Sequence, residues 1–156
     1  MTTGIKTLIV LSIIIRLSAS AQVFNISVVN GQIISKVAMT ETIDGICNQN
    51  EVYGLFDGSD GQTEAKCALT KNQIEALLNE KVDFLVKNPQ YKDKGQIGCF
   101  INCEGTVVEW DISLNSKDAD LDQQILEIFK SLSNWTAGKL NGKNVDSRLL
   151  FKYKIK

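Results

Sequence analysis

The chain contains no histidine, a single proline and no run of eighteen apolar residues among its 156 positions. Each absence removes a class of function. Without histidine the commonest general base and a principal zinc ligand are both missing. One proline leaves no Pro-rich spacer. The longest apolar run is too short to carry a helix across a bilayer. Charge of one sign is also lacking: 17 basic residues face 18 acidic ones, a net charge of −1, so no basic excess points to nucleic acid. No Cys-x-x-Cys occurs, which argues against both a thiol-redox motif and a zinc site. The acidic residues Glu41, Asp44, Glu51, Asp57 and Asp60 do not follow calcium-loop spacing. No nucleophile motif and no glycine-rich cofactor loop is found. The expectation is a non-enzymatic protein without catalytic residues, cofactor or metal.

What is present suits one packed domain. The apolar fraction is 44% and the charged fraction 22%. The first 21 residues read as a secretory leader. Lys6 supplies the positive start, Thr7 to Ile15 an apolar core, and Ala19-Ser20-Ala21 a small-x-small cleavage site before Gln22. An uncleaved anchor is the alternative. Cleavage would leave 15 basic and 18 acidic residues, a charge of −3. The expected location is the periplasm, with secretion further afield the variant.

All four cysteines lie after the leader, where an oxidising compartment permits disulfides. Cys99 and Cys103 fall four apart in an expected strand, about 13 Å at 3.3 Å per residue, too far for a bridge. Cys47 with Cys67 is the preferred pair because both flank a Gly-rich loop. A bridge from Cys103 to Cys47 or Cys67 competes, and Cys99 is expected to be a buried free thiol. Asn25-Ile26-Ser27 and Asn134-Trp135-Thr136 match the glycosylation sequon, a triplet common by chance.

Local patterns place the elements. Asn30-Gly31 between Ile26–Val29 and Gln32–Ile34 predicts a hairpin with a type I′ turn. Thr40 to Lys66 is polar and turn-rich, a long loop with short strands near Val52 to Phe56. Thr70 and Gln73 form a capping box, and Ile74, Leu77, Leu78, Val82 and Leu85 predict one helix ending at Asn88-Pro89. A second hairpin pairs Gln96–Asn102 with Thr106–Leu114 around Glu104-Gly105. Asp118 caps a helix with the stripe Leu121, Ile125, Ile128, Phe129 and Leu132. Asn141-Gly142 turns into a last strand on which Val145, Leu149, Phe151, Tyr153 and Ile155 share one face. The fold class expected is α+β, two helices packed on a three-stranded antiparallel sheet of order 2-1-3, with an added N-terminal hairpin. That order puts the C-terminal strand on an edge.

The segment Trp135-Thr136-Ala137-Gly138-Lys139-Leu140-Asn141-Gly142-Lys143-Asn144-Val145 carries a resemblance. Together with Glu104-Gly105 and Asp118-Ala119-Asp120-Leu121-Asp122, it resembles the C-terminal domain of the TonB family, over roughly Thr70 to Ile155. Ala119, Ala137 and Asn144 stand where that family favours proline. The resemblance divides the chain into a leader (1–21), a hairpin and disulfide-pinned loop (22–69) and a TonB-C-like domain (70–156). It implies Trp135, Gly138, Lys139, Asn141, Gly142 and Lys143 as motif residues. It also implies a partner in outer-membrane TonB-dependent transporters, whose short box segment the family's edge strand is implicated in receiving. The energy-transducing members have a membrane anchor with a functional His and a Pro-rich spacer, neither of which this sequence shows.

Independently of the resemblance, Trp135 reads as a core residue closing the helix over the sheet. Gly138 and Gly142 read as turn glycines needing positive φ. Lys139, Lys143, Arg148, Lys152 and Lys154 gather positive charge near the end of an acidic chain. They read either as a protected edge or as a surface steering an acidic partner. The expected partner-binding residues are Val145, Arg148, Leu150, Lys152 and Lys154, acting by edge-strand addition to a protein or peptide. The alternative is a self-associating envelope protein that forms a homodimer through the same strand.

Overall fold

The computed structural model describes residues 23–29 and 31–155. The proposed leader and its cleavage site lie outside the described residues, as does Asn30 of the first turn.

Eight strands form one curled, mixed sheet, a half-barrel carrying three short helices. The strands are β1 (Val23–Val29), β2 (Gln32–Ala38), β3 (Val52–Gly54), β4 (Gln62–Thr63), β5 (Asp93–Ile101), β6 (Val107–Leu114), β7 (Gly138–Leu140) and β8 (Lys143–Ile155). The helices are α1 (Lys71–Lys81), α2 (Asp83–Lys87) and α3 (Ala119–Lys130). The main path runs β1-β2-β3-β8-β5-β6, with β7 paired to β8 and β4 to β7. The expected two-helix, three-stranded antiparallel fold is therefore overturned, and with it the fold that the TonB resemblance implies. β6, β5 and β8 lie side by side, but β3 enters parallel to β8, pairing Val52 with Asp146 and Tyr53 with Ser147. That insertion joins the N-terminal hairpin to the rest as one sheet. β8 is central over its first half and an edge only beyond it.

The two faces of the sheet hold separate cores. On one, α1, α2 and α3 bury Ile74, Leu78, Val82, Leu85, Leu121, Ile125 and Phe129 against Ile97, Tyr153 and Ile155. On the other, the curl brings Val37, Ile43 and Val52 onto Phe100. Burial of this many apolar side chains is the chief stabilising term.

Caps set the helix starts. Thr70 accepts from Gln73 N, and the Gln73 side chain returns a bond to Thr70 N at 2.8 Å. Asp118 Oδ1 accepts from Asp120 N and Leu121 N, both at 3.0 Å. The single helix expected from Thr70 to Asn88 is interrupted: Val82 adopts an extended backbone (ψ 106°), and Phe84 N then donates to Gln124 Oε1 at 3.0 Å. A β-branched residue at the break and an acceptor from α3 outweigh the continuous stripe.

The Asn141-Gly142 turn has positive φ at both residues (51° and 78°), as a two-residue hairpin of type I′ requires. Gly138 differs from expectation. It opens β7 rather than a turn, and a Cβ there would run into Leu55 Cδ1. Its glycine serves close approach.

Candidate functional site

Three features of β8 define the site. The first is a pin at its start. Asp146, 2% exposed, accepts backbone N–H bonds from Cys47 (3.1 Å), Asn48 (2.7 Å) and Cys103 (2.9 Å). Beside it Cys47 and Cys103 form a disulfide spanning 56 residues. The preferred Cys47–Cys67 pairing is thus corrected: Cys67 and Cys99 are free, and Cys99 is buried. Loop proximity in sequence suggested the wrong partner, because the 39–48 loop crosses the sheet to reach the β5–β6 turn, where Asn102 Nδ2 donates to Gly45 O at 2.9 Å. Cys47, Cys103 and Asp146 bring three metal-ligand atoms within 4.8 Å of one another. The two sulfurs are bonded to each other and the carboxylate is spent on three N–H groups, so the cluster is structural.

The second feature is the open edge. β5 occupies one edge of β8 from Ser147 to Ile155. On the other edge, β3 pairs only with Asp146 and Ser147, and no described strand continues beyond. The backbone direction follows from the hairpin. Asn102 N donates to Thr106 O at 2.9 Å, towards β6. Successive strand residues turn their N–H and C=O to opposite edges, so Ile101 faces its partner Ser147 on β8. Ser147, Leu149, Phe151 and Tyr153 therefore bond towards β5. Leu150, Lys152 and Lys154 present N–H and C=O to the open side.

The third feature is the groove along that side, about 950 Å³ in volume. Its apolar walls come from Phe24, Ile26, Leu55, Phe56, Leu69, Leu149 and Phe151. Several of these are exposed: Ile26 at 70%, Phe56 at 49% and Leu69 at 36%. The groove straddles β8, taking residues from both of its faces. At one end its rim is acidic and self-neutralised. Lys66 pairs with Asp57 at 2.7 Å, and that ammonium, with the Glu64 N–H, holds the Asp57 carboxyl below its usual range. Partial burial and then the Asp57 charge push Glu64 up.

The expected binding residues fare differently. Leu150, Lys152 and Lys154 lie on the open edge. Val145 does not, since it pairs with Gly138 of β7. Arg148 is not an exposed steering charge: its side chain is 2% exposed, ion-paired with Asp111, donating to Ser113 Oγ at 2.9 Å and stacked 4.6 Å from the Phe100 ring. A glycine at 98 makes room for it, since any Cβ there would strike the guanidinium. Lys139 and Lys143 are exposed on the β7–β8 hairpin. Trp135 is half-buried, donates Nε1–H to Leu132 O at 3.1 Å and meets Trp110 edge-on at 5.7 Å between ring centres, as a packing residue does. The sequence reading missed the groove walls from Phe24, Ile26, Phe56 and Leu69. The signal was the run of strand-forming apolar residues in β1, more than a two-stranded hairpin can bury.

Cys99 is buried, which keeps its sulfur in the protonated, weakly nucleophilic form. Burial pushes its thiol up to about 12, against the milder pull of Arg148.

No family model, no curated protein and no solved structure matches the chain.

Proposed function

We propose that the protein is a non-enzymatic binding module that takes up an extended protein or peptide segment as an added strand on β8. The observation that carries this reading is the edge itself: β3 stops after two paired residues, and beyond them the open edge of β8 runs along an apolar groove of about 950 Å³ that it lines as far as Lys152. Unpaired main-chain donors and acceptors supply affinity in strand addition, and the apolar walls take alternate side chains. Exposed apolar groups along a free strand edge are a liability unless something covers them.

The Cys47–Cys103 disulfide supports an oxidising compartment, in keeping with export to the periplasm. The Trp135-to-Val145 motif supports an outer-membrane TonB-dependent transporter as the partner class. A homodimer through the same edge is the competing use. An antiparallel self-pairing centred on Lys152 would set Lys152 against its own copy, and like charges directly opposite are unfavourable.

A displayed library of short random peptides, panned on the purified protein, tests the proposal. Selected peptides are expected to bind wild type and Lys152→Ala, which keeps the backbone N–H. Lys152→Pro removes that outward donor without touching the β5 ladder. It should weaken binding at least about fivefold, the worth of one main-chain hydrogen bond near 1 kcal/mol. Equal binding by a folded Lys152→Pro variant overturns the edge assignment. A stable dimer by sedimentation, lost in Lys152→Pro, would favour self-association.

A further inference from the structure

The charge around the far end of the groove narrows the chemistry of the occupant; this inference rests on the strand-addition reading. Lys92, Lys94, Lys117 and Lys154 ring a hollow of about 550 Å³. Lys152 lies one strand repeat before Lys154. None of these five lysines belongs to an ion pair among the described residues. The carboxylate within the hollow, Asp93, is already committed. Its oxygens accept from Lys117 N, Lys94 N and Tyr91 Oη at 2.8, 2.8 and 2.9 Å, and these bonds hold its carboxyl below the usual range. Four lysines around one ionised carboxylate leave the hollow net positive, on a chain whose net charge is −1.

Register places the patch relative to the edge. Lys152 pairs with Gln96 and Lys154 with Lys94, and directly opposed residues share a face of the sheet. Lys94, Lys152 and Lys154 thus stand on one face, and Phe151 stands on the other with the helices. A strand added outside β8 would set alternate side chains on the lysine face, beside Lys152 and Lys154. The residue between them would turn to the wall formed by Phe151 and Leu69. At the Asp57 rim of the groove the charges are already paired, Lys66 with Asp57 at 2.7 Å.

We infer that the strand received by β8 carries two carboxylates flanking one apolar residue, the carboxylates set over Lys152 and Lys154. The occupant is an acidic, alternating protein segment, with its acidic end towards the C-terminal end of β8. The same spacing disfavours self-pairing: a second copy paired about Lys152 would bring that lysine to its own counterpart where this segment brings carboxylate.

Three synthetic peptides of one length test it, read by fluorescence anisotropy: an alternating Val/Glu peptide, its Val/Gln counterpart, and an isomer of the first with its Glu residues adjacent. The alternating acidic peptide should bind about tenfold more tightly than the Gln peptide at low salt, an advantage that shrinks as salt rises. The isomer should lose most of it. Lys152→Glu/Lys154→Glu should reverse the preference towards an alternating Val/Lys peptide. If the Gln peptide or the isomer binds as tightly, and Lys152→Pro still abolishes binding, the edge stands and the carboxylate pattern is overturned. If Lys152→Pro binds the acidic peptide like wild type, the attraction is a lysine patch alone, and both the pattern and the edge reading fall.

Discussion

Asp146→Ala perturbs the point on which the start of β8 depends. The carboxylate is 2% exposed and holds three backbone N–H groups, from Cys47, Asn48 and Cys103. A hydrogen bond to a charged group contributes about 1.5–3 kcal/mol net. Cys47 and Asn48 lie on exposed residues, so their freed N–H groups regain water and recover much of the loss. The Cys103 bond forfeits more, because Cys103 is half-buried. The expected total is about 3–5 kcal/mol, a large part of the roughly 5–15 kcal/mol that holds an ordinary domain folded. Urea unfolding at constant slope measures it. Asp146→Asn keeps one acceptor oxygen but aims an amide donor at a donor, so about 2–3 kcal/mol is expected. Removing the disulfide with Cys47→Ala/Cys103→Ala should cost about 4 kcal/mol for a closed loop of this length. Combined with Asp146→Ala, the loss should fall short of the sum, because bridge and carboxylate tie the same two segments. A cost below about 1 kcal/mol for Asp146→Ala would refute the pin.

Thiol titration without reductant should find one accessible thiol on the native protein, Cys67, and a second, Cys99, only in denaturant; Cys67 and Cys47 resisting together would restore the pairing that the structure excludes. Alkali should destabilise the fold through its phenols. Desolvation and the Asp93 bond push Tyr91 up to about 12, and burial beside Asp122 raises Tyr153 as well. Groups whose folded values lie above the unfolded value near 10 contribute stability that is fully present below pH 10 and lost as pH rises through about 12. Tyrosinate absorbance from either residue below pH 10 in the folded protein contradicts this. Gly138→Ala should cost about 1–3 kcal/mol in thermal or urea unfolding, because its methyl meets Leu55; a neutral result would show that β7 shifts freely.

The local elements were legible because their causes are local. Thr70 with Gln73, Asp118 before its stripe, and Asn141-Gly142 each carry the bonds or backbone angles that define them. The architecture was not, because β3 is three residues long and its partner in β8 lies more than ninety positions away. No periodicity in Val52–Gly54 announces a parallel pairing. The sequence left the disulfide open between Cys67 and Cys103 as partners of Cys47, because a bridge across 56 residues depends on where a loop lands rather than on what it contains. Arg148 looked like an edge charge by alternation with Lys152 and Lys154. Asp111 and Gly98, on neighbouring strands, turn it inward. Half of the candidate edge was therefore readable, Leu150 to Lys154. Its apolar wall was contributed by a hairpin whose position the sequence pattern did not reveal.

Amide hydrogen exchange along β8 tests the central claim most directly. In the free protein the N–H groups of Leu150, Lys152 and Lys154 should exchange rapidly, while those of Leu149, Phe151 and Tyr153 stay protected by β5. Bound peptide should slow the first set alone. Protection of Leu150, Lys152 and Lys154 in the free monomer equal to that of their neighbours would mean that the edge is already covered, and would contradict the account.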